Sequence, residues 1–326
     1  MRRIGQFASA LIVGILFVLP GAAQAAVTIR LATEATKLDP TFELPNKFKE
    51  LVETRGQGTL DVKFFSGGAL GTQRQLQEQI QLGTIDAIST ASDMPELEPK
   101  FAIVDFPFLF SERQHVYKVL DGPIGEELNQ VLIRNKGVRV LAYGELGFRH
   151  FTNSVRPINK PEDLKGLKIR VPPAKIRVAA IRAMGAAATP MPAKELYTAL
   201  QQRVVDGQEN PIAAIVAWSL WEVQKFVSLT NHVYTPVYLL INERVYQSLA
   251  PEIRRILHEA AAEAKAWQRA ENQRNEERDL QQARDRGMQV NTAEVKAFSA
   301  LTRPIWDEFS ASVGKDLLDR VNAARP

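Results

Sequence analysis

Residues 27–32 read VTIRLA, residues 60–65 read LDVKFF and residues 85–88 read IDAI. In these short stretches apolar residues recur as they do in a half-buried β-strand. Apolar residues at helical spacing occupy 44–52, and the glycines of Gly56-Gln57-Gly58 are expected to end this helix. A second helix is expected to stop at Gly83. Strand, helix, strand, helix, strand is the order of an α/β sheet. A binding crevice is expected beyond the carboxyl ends of such strands.

The second half of the chain repeats this style without repeating the sequence, so a solenoid or propeller is not expected. Residues 138–143 and 167–171 are strand candidates, and the second of them ends at a Pro-Pro pair. Helices are expected near residues 176–184, 193–202 and 212–218. Two α/β units in one chain predict two lobes.

A long helix is expected at about 251–286, with Pro251 in its first turn and Gly287 at its end. Unbroken, this helix would be roughly 50 Å long, which exceeds the width of one lobe. Such a helix can brace two lobes. A coiled-coil partner helix is the alternative, but the apolar stripe that begins at Ile253 fades after Trp267, which disfavours it.

The N-terminus has the form of a secretory signal peptide spanning residues 1–25. Arg2 and Arg3 precede an apolar run over 8–19, and Ala23-Gln24-Ala25 fits a small-x-small cleavage site. An uncleaved N-terminal anchor is the alternative. Removing this leader takes away two arginines and no acidic residue, so the net charge falls from +4 to +2. That balance argues against a nucleic-acid partner.

The sequence excludes most catalytic chemistry. It has no cysteine, its four histidines show no metal-ligand spacing, and it lacks the nucleophile-elbow, Walker and complete dinucleotide motifs. No metal or cofactor is therefore expected. The enzyme alternative is a periplasmic lyase or hydrolase of organic acids that uses Asp206 or Glu209 with His150, although nothing in the sequence pairs a base with a nucleophile.

What remains is a recognition site. Arg170 lies at the end of an apolar strand, where a guanidinium fork can bind a carboxylate in bidentate fashion, or else form an interdomain salt bridge. The same two interpretations, carboxylate binding or a salt bridge, apply to Arg149. Gln208 and Asn210 are expected in a turn that leads into a helix and brings amide groups near the crevice. Trp218 is either a core residue or a ligand platform.

Many short segments, in order along essentially the whole mature chain, resemble the DctP-type solute-binding proteins of TRAP transporters. No single segment is decisive, but together they are specific. They are 68–71 (GALG), 107–110 (PFLF), 147–153 (GFRHFTN), 163–171 (DLKGLKIRV), 184–186 (MGA), 195–197 (ELY), 204–211 (VVDGQENP), 222–225 (EVQK) and 230–232 (TNH).

The resemblance implies an α/β, two-lobed periplasmic-binding-protein-like fold with connecting strands and a long lobe-bridging helix. Lobe I is expected to comprise residues 26–147 plus about 235–270, and lobe II residues 148–234 plus about 271–326. The protein would bind a small organic acid in the periplasm and deliver it to the membrane permease subunits of a sodium-driven TRAP transporter. A monomer is favoured over a dimer, and a receptor for a sensor or an ABC system is the alternative within the binding class.

The resemblance also assigns roles by position. Arg170 matches the arginine that grips the substrate carboxylate, Arg149 a second cationic contact, and Asn210 the amide that completes the site. Glu34 is expected among the contacts of the first lobe. This chain departs from the family at residues 38–40, where a His-Pro pair is common, and at Arg203, where glycine is common. The acid itself stays open among a dicarboxylate, a keto acid, a sugar acid and an aromatic acid.

Overall fold

The computed structural model describes residues 26–37 and 39–325. The expected signal peptide, residues 1–25, and Leu38 lie outside the described residues. The strands in the described ranges are β1 (Val27–Thr33), β2 (Leu60–Phe65), β3 (Ala87–Thr90), β4 (Val138–Phe148), β5 (His150–Asn153), β6 (Lys168–Val171), β7 (Ala187–Pro190), β8 (Gly207–Asn210), β9 (Phe226–Leu229), β10 (Tyr234–Asn242) and β11 (Gln289–Thr292).

The α-helices in the same ranges are α1 (Pro40–Gly56), α2 (Gln73–Leu82), α3 (Met94–Leu97), α4 (Arg113–Leu120), α5 (Pro123–Lys136), α6 (Lys175–Ala183), α7 (Ala193–Gln201), α8 (Ile212–Ala217), α9 (Glu243–Ser248), α10 (Pro251–Asp285), α11 (Val295–Val313) and α12 (Lys315–Ala323). Short 3₁₀ helices cover Pro99–Asp105, Pro161–Leu164 and Leu220–Glu222. No helix in the described part of the chain is long and apolar enough to cross a bilayer.

Two mixed sheets organise the fold, which confirms the α/β class. The first has the order β2-β1-β3-β10-β4, and the second has the order β11-β9-β5-β8-β6-β7. In the first sheet, β1 runs parallel to β2 and β3, while β10 runs antiparallel to its two neighbours. The predicted strand at 85–88 is displaced by two residues, because β3 begins at Ala87, opposite Leu31 of β1.

The chain crosses between the sheets at three places. One extended segment forms β4 in the first sheet and β5 in the second, with only Arg149 between them. The return segment runs from β9 to β10, and the two crossings are joined where the Arg149 N–H donates to the Val233 carbonyl at 2.9 Å. Helix α10 makes the third crossing and leads into β11. These segments are the connecting strands and the bracing helix that the sequence predicts.

Helix α10 has 35 residues, as the sequence predicts, and changes character along its length. Its first half buries Leu257, Ala260 and Ala264 against the core of the first sheet. Beyond the apolar stripe, Gln268 holds the helix against β4: its side chain accepts from the Glu145 N–H at 2.9 Å and donates to the Glu145 carbonyl at 2.7 Å. Where the apolar stripe of its first half ends, the helix therefore stays attached to β4 by hydrogen bonds.

The C-terminal helices pack differently from the expected assignment of residues 271–326 to the second lobe. Helix α11 reaches both sides, since Phe298 lies in a cluster with strands of the second sheet, whereas Trp306 donates to the Pro107 carbonyl at 3.0 Å. Helix α12 packs Leu317 and Val321 into the cluster that contains α4 and α5. The apolar face of α12 thus belongs with the first lobe.

Candidate ligand-binding cleft

A cleft opens where the carboxyl ends of strands from both sheets meet, as the sequence predicts. Its volume open to water-sized molecules is about 220 Å³. Residues at or after the ends of β1, β2 and β3 line one side, and residues of β6, β8 and the start of α7 line the other. The lining residues are Thr33, Glu34, Ala35, Thr36, Asp39, Thr41, Gly67, Gly68, Gln73, Ala91, Ser92, Asp93, Leu146, Arg170, Pro172, Ala193, Lys194, Asn210 and Trp218.

Arg170 is the buried cation of this cleft. It lies in β6, where it is opposite Gln208 of β8, and it is 2% exposed. Its Nε and Nη2 donate to the Met191 carbonyl at 2.9 and 2.5 Å, which fixes one edge of the guanidinium. Within the described chain, no carboxylate lies within ion-pair distance of Arg170, and Nη1 has no hydrogen-bond acceptor. Burial and the nearby Arg149 lower the pKa of Arg170 to about 10, so it remains a cation at neutral pH.

The other buried arginines of the described chain each have a carboxylate partner. Arg177 donates to Asp105 at 2.6 Å, and Arg269 donates to Asp121 at 2.5 Å. Burying a charge without a partner is costly, so a folded chain normally supplies one. Arg170 is the exception among the buried arginines of the described chain.

Arg149 has a partner and does not line the cleft. The side chain is fully buried and forms an ion pair with Glu209, which is the salt-bridge alternative of the sequence analysis. Glu209 also contacts His232 Nε2 at 3.1 Å. Burial by itself raises the pKa of Glu209, but the Arg149 guanidinium and the His232 hydrogen bond hold it well below its usual range. Arg149 Nη2 also donates to Asn210 Oδ1 at 2.9 Å, so Arg149 supports a residue that does line the cleft.

The segment that contains Gln208 and Asn210 is a buried strand, β8, and not the predicted turn. It pairs antiparallel with β5 and parallel with β6, so its polar side chains are satisfied by partners that are distant in sequence. Gln208 Nε2 donates to Thr152 Oγ1 at 2.9 Å and lies below the cleft rather than in it. Asn210, at the carboxyl end of the strand, reaches the cleft.

Glu34 lies in the cleft, as expected, and is held by the start of α2. Its Oε2 accepts from the Gln73 N–H at 3.1 Å, whereas its buried Oε1 accepts no hydrogen bond of good geometry from residues 26–37 or 39–325. Burial raises the pKa of Glu34, and nearby donors, including those of Gln73, oppose that shift. The Gln73 side-chain oxygen accepts from the Ala91 N–H at 2.9 Å, which orients its NH₂ group away from that strand end.

Asp93 is a cleft residue that the sequence reasoning missed. Its side chain is almost completely buried, at 8% exposure, and its carboxylate has no hydrogen-bond or ion-pair partner in the described ranges. Burial raises the pKa of Asp93 to about 6, against the opposing influence of Arg170. The available signal was its position, because a polar residue just after a strand in an α/β sheet belongs to the crevice edge.

Trp218 and Asp39 join the two sides of the cleft. Trp218 Nε1 donates to Asp39 Oδ2 at 2.8 Å, and the buried Asp39 also accepts from the Thr41 N–H at 2.7 Å as the N-cap of α1. Burial raises the pKa of Asp39. The Trp218 ring packs against apolar clusters of both lobes, so this residue is both a core residue and a wall of the cleft.

The residues of the enzyme alternative are not arranged for acid/base chemistry. Glu209 is held in its ion pair, and Asp206 Oδ2 accepts from the Lys168 N–H at 2.8 Å. Burial lowers the pKa of His150 to about 3, and its Nδ1 faces the Thr230 N–H at 3.3 Å. No group of three or more potential metal ligands occurs among residues 26–37 and 39–325.

Comparisons with known proteins agree on one family. The family model described as bacterial extracellular solute-binding protein, family 7 (DctP), matches residues 31–312. The chain is 37% identical over 303 residues to the 2,3-diketo-L-gulonate-binding periplasmic protein YiaO of Escherichia coli, covering 91% of this chain and 92% of that protein.

Solved structures show the same fold. A TRAP periplasmic solute-binding protein from Polaromonas sp. JS666, bound to D-erythronate, is 34% identical with a TM-score of 0.88, and the match covers 92% of this chain and 99% of that one. The sugar acid binding protein DctPAm from Advenella mimigardefordensis, in complex with galactonate, is 32% identical with a TM-score of 0.88, covering 92% and 97%.

Proposed function

This chain belongs to the DctP family of bacterial extracellular solute-binding proteins, whose members bind substrates and are not enzymes, and from that premise we propose how it works. It is a TRAP solute-binding protein for organic acids, including sugar acids. We propose that Arg170 pairs with the carboxylate of the acid in the cleft. The observation that carries this proposal is a buried arginine that lines the cleft and has no carboxylate of its own.

Helix N-termini add to the attraction for an anion. Gln73 is the first residue of α2, and Ala193 and Lys194 are the first residues of α7; all three line the cleft. The N-terminal end of a helix carries a partial positive charge, which attracts an anion even though the Gln73 N–H itself donates to Glu34 Oε2. Asn210 would complete the carboxylate site as an amide, and Arg149 and Gln208 would support it from below through the hydrogen bonds of β8.

The related proteins support an acid as the ligand. YiaO is named for 2,3-diketo-L-gulonate, and the two related structures contain D-erythronate and galactonate. Each of these compounds carries one carboxylate on a hydroxylated or oxidised carbon chain. An acid of this class carries one negative charge, which would pair with the guanidinium of Arg170.

We propose that the acid is captured by closure of the lobes. The first lobe would comprise residues 26–147 and about 235–270 together with α12, and the second would comprise residues 148–234 with the end of α10 and β11. The bending points would be the crossings at Arg149 and at 230–233, where few residues join the sheets. Closure brings Trp218 to Asp39 and excludes water, which strengthens the ion pair at Arg170.

The cellular role follows from the family, whose members are extracellular or periplasmic. We propose that residues 1–25 direct export and are cleaved, and that the loaded protein, a monomer, delivers the acid to the membrane subunits of a sodium-coupled TRAP permease. No cofactor is required by this role.

The test is a thermal-shift screen of the purified mature protein with an organic-acid library, followed by calorimetry on Arg170→Ala and Arg170→Lys. Removing one partner of a buried charge pair costs about 2 to 5 kcal/mol, so Arg170→Ala should weaken binding by roughly thirtyfold or more. Arg170→Lys should also bind poorly, because the planar fork is lost. The matched control is Arg182→Ala, an exposed arginine on α6. Arg170→Ala binding within threefold of wild type would refute the assignment.

A further inference from the structure

The cleft contains unsatisfied groups of both charges. Besides the free edge of Arg170, the carboxylate of Asp93 has no donor in the described chain, and Glu34 Oε1 accepts no hydrogen bond of good geometry. Asp93 and Glu34 lie close enough to Arg170 for its charge to act on the pKa of both. A ligand whose carboxylate binds Arg170 therefore places the rest of its length beside two acceptors.

These acceptors restrict what the far end of the ligand can be. A second carboxylate would face Asp93 and Glu34 without a cation, because the other cationic side chain of the lining, Lys194, is exposed. Like charges in a poorly solvated site repel strongly. A bare alkyl chain would cover both acceptors and give them no donor, which costs free energy as well. The far end must therefore donate hydrogen bonds and carry no negative charge.

Gln73 favours hydroxyl groups over an ammonium group at the far end of the ligand. Its side-chain oxygen accepts from Thr90 Oγ1 at 2.8 Å and from the Ala91 N–H, so its NH₂ group is the part that can donate in the cleft. This NH₂ group already lowers the pKa of Glu34, and because it has two hydrogens it can donate to a ligand as well. A hydroxyl donates one hydrogen bond and accepts others, whereas an ammonium only donates. A lining that mixes acceptors with a donor suits a row of hydroxyls.

We propose that the ligand is a polyhydroxylated monocarboxylate, with its carboxylate on Arg170 and its hydroxyls on Asp93, Glu34 and Gln73, and that Asp93 is a specificity-determining residue. This inference rests on the proposed function, since it takes the Arg170 pair as given. Asp93 would reject dicarboxylates by repulsion and select hydroxylated acids by accepting from them.

The experiment compares acids of equal length by calorimetry at pH 7.5. At six carbons the probes are D-galactonate, hexanoate, galactarate and L-norleucine; at four carbons they are D-erythronate, butyrate, tartrate and 2-aminobutyrate. We expect a hydroxylated monocarboxylate to bind at least thirtyfold more tightly than the other acids of its length. A deoxy acid, a dicarboxylate or an amino acid that binds within threefold of the hydroxylated acid would overturn the inference.

The variant Asp93→Asn keeps the shape of the side chain and removes its charge. We expect at least tenfold weaker binding of the hydroxylated acid and a preference shifted at least fivefold toward the dicarboxylate. The melting temperature of the ligand-free variant should rise, because an unpartnered buried charge is removed. An equal loss of affinity for all acids would indicate a structural role and refute the specificity role. Asp307→Asn, on the exposed face of α11, is the matched control.

The outcomes separate this inference from the proposed function. If no acid binds, or if Arg170→Ala binds like wild type, the proposed function fails. If acids bind through Arg170 but neither their hydroxyls nor the charge of Asp93 changes the affinity, only the inference about Asp93 and the hydroxyls fails.

Discussion

The buried ion pair at the first strand crossing gives a sharp prediction about stability. The side chains of Arg149 and Glu209 are 0% and 2% exposed, and the pair sits where β4 becomes β5. Glu209→Gln keeps the shape but leaves a buried guanidinium without its counter-charge. Removing one partner of a buried pair costs about 3 to 5 kcal/mol. The loss of folding free energy should be large because water cannot reach the site to solvate the guanidinium of Arg149.

The expected shift is large enough for a thermal melt. For a chain of this length, 1 kcal/mol corresponds to roughly 2 °C, the low end of the range for smaller domains. Glu209→Gln should therefore melt about 6 to 10 °C below wild type by calorimetry at pH 7.5. Adding Arg149→Met, which removes the orphaned charge, should recover at least half of the loss. A single variant that melts within 2 °C of wild type would show that the pair contributes little.

The same pair predicts acid sensitivity. Although burial alone would raise it, the folded-state pKa of Glu209 is depressed by Arg149 and His232. A depressed carboxyl pKa contributes stability that is complete above the unfolded value, near 4.5, and is lost as the pH falls toward the folded value. The melting difference between wild type and Glu209→Gln should therefore shrink between about pH 5 and pH 3. A difference that stays constant over this range would contradict the electrostatic explanation.

Two further substitutions test the cleft and its scaffold. Trp218→Phe keeps an aromatic ring but removes the N–H that donates to Asp39. A hydrogen bond to a charged group is worth about 1.5 to 3 kcal/mol, so calorimetry should show roughly tenfold weaker ligand binding. Unchanged affinity would mean that this hydrogen bond plays no part in closure. Gly207→Ala would place its Cβ 2.1 Å from a backbone oxygen of β5, so it should unfold at a temperature several degrees below that of the wild type. A melting temperature equal to that of the wild type would show that β8 can shift away from β5.

The elements that the sequence predicts well are those set by local patterns. The alternation at 27–32 and 60–65 recurs in β1 and β2, and Gly83 takes the left-handed conformation that ends α2, with φ of +76°. The boundaries of α10 follow from Pro251 and from the composition of the segment. In each of these cases, the residues that decide the structure are neighbours in the chain.

The predictions that differ from the structure depend on distant partners. Residues 207–210, GQEN, are polar and favour a turn by composition, yet they form a buried strand because β5 and β6 enclose them. Arg170 and Arg149 were the first and second candidates for a carboxylate contact in the sequence, and only the fold shows that Glu209 neutralises Arg149. The position of Asp93 after a strand indicates the crevice edge, but the local sequence does not show that its carboxylate has no donor in the fold.

The contrast between paired and unpaired charges predicts that the cleft lowers the stability of the ligand-free protein and that a bound ligand raises it again. Arg149 stabilises the crossing because Glu209 completes it, whereas Arg170, Asp93 and Glu34 Oε1 remain incomplete in the described chain. These unsatisfied groups should destabilise the ligand-free protein, and under the proposed function a complementary acid would satisfy all three together. A ligand at 100 times its dissociation constant adds about 2.7 kcal/mol of stability. Because the same three groups set both effects, Asp93→Asn should raise the ligand-free melting temperature while reducing the shift that a hydroxylated acid produces. A variant in which both quantities rise would contradict this coupling.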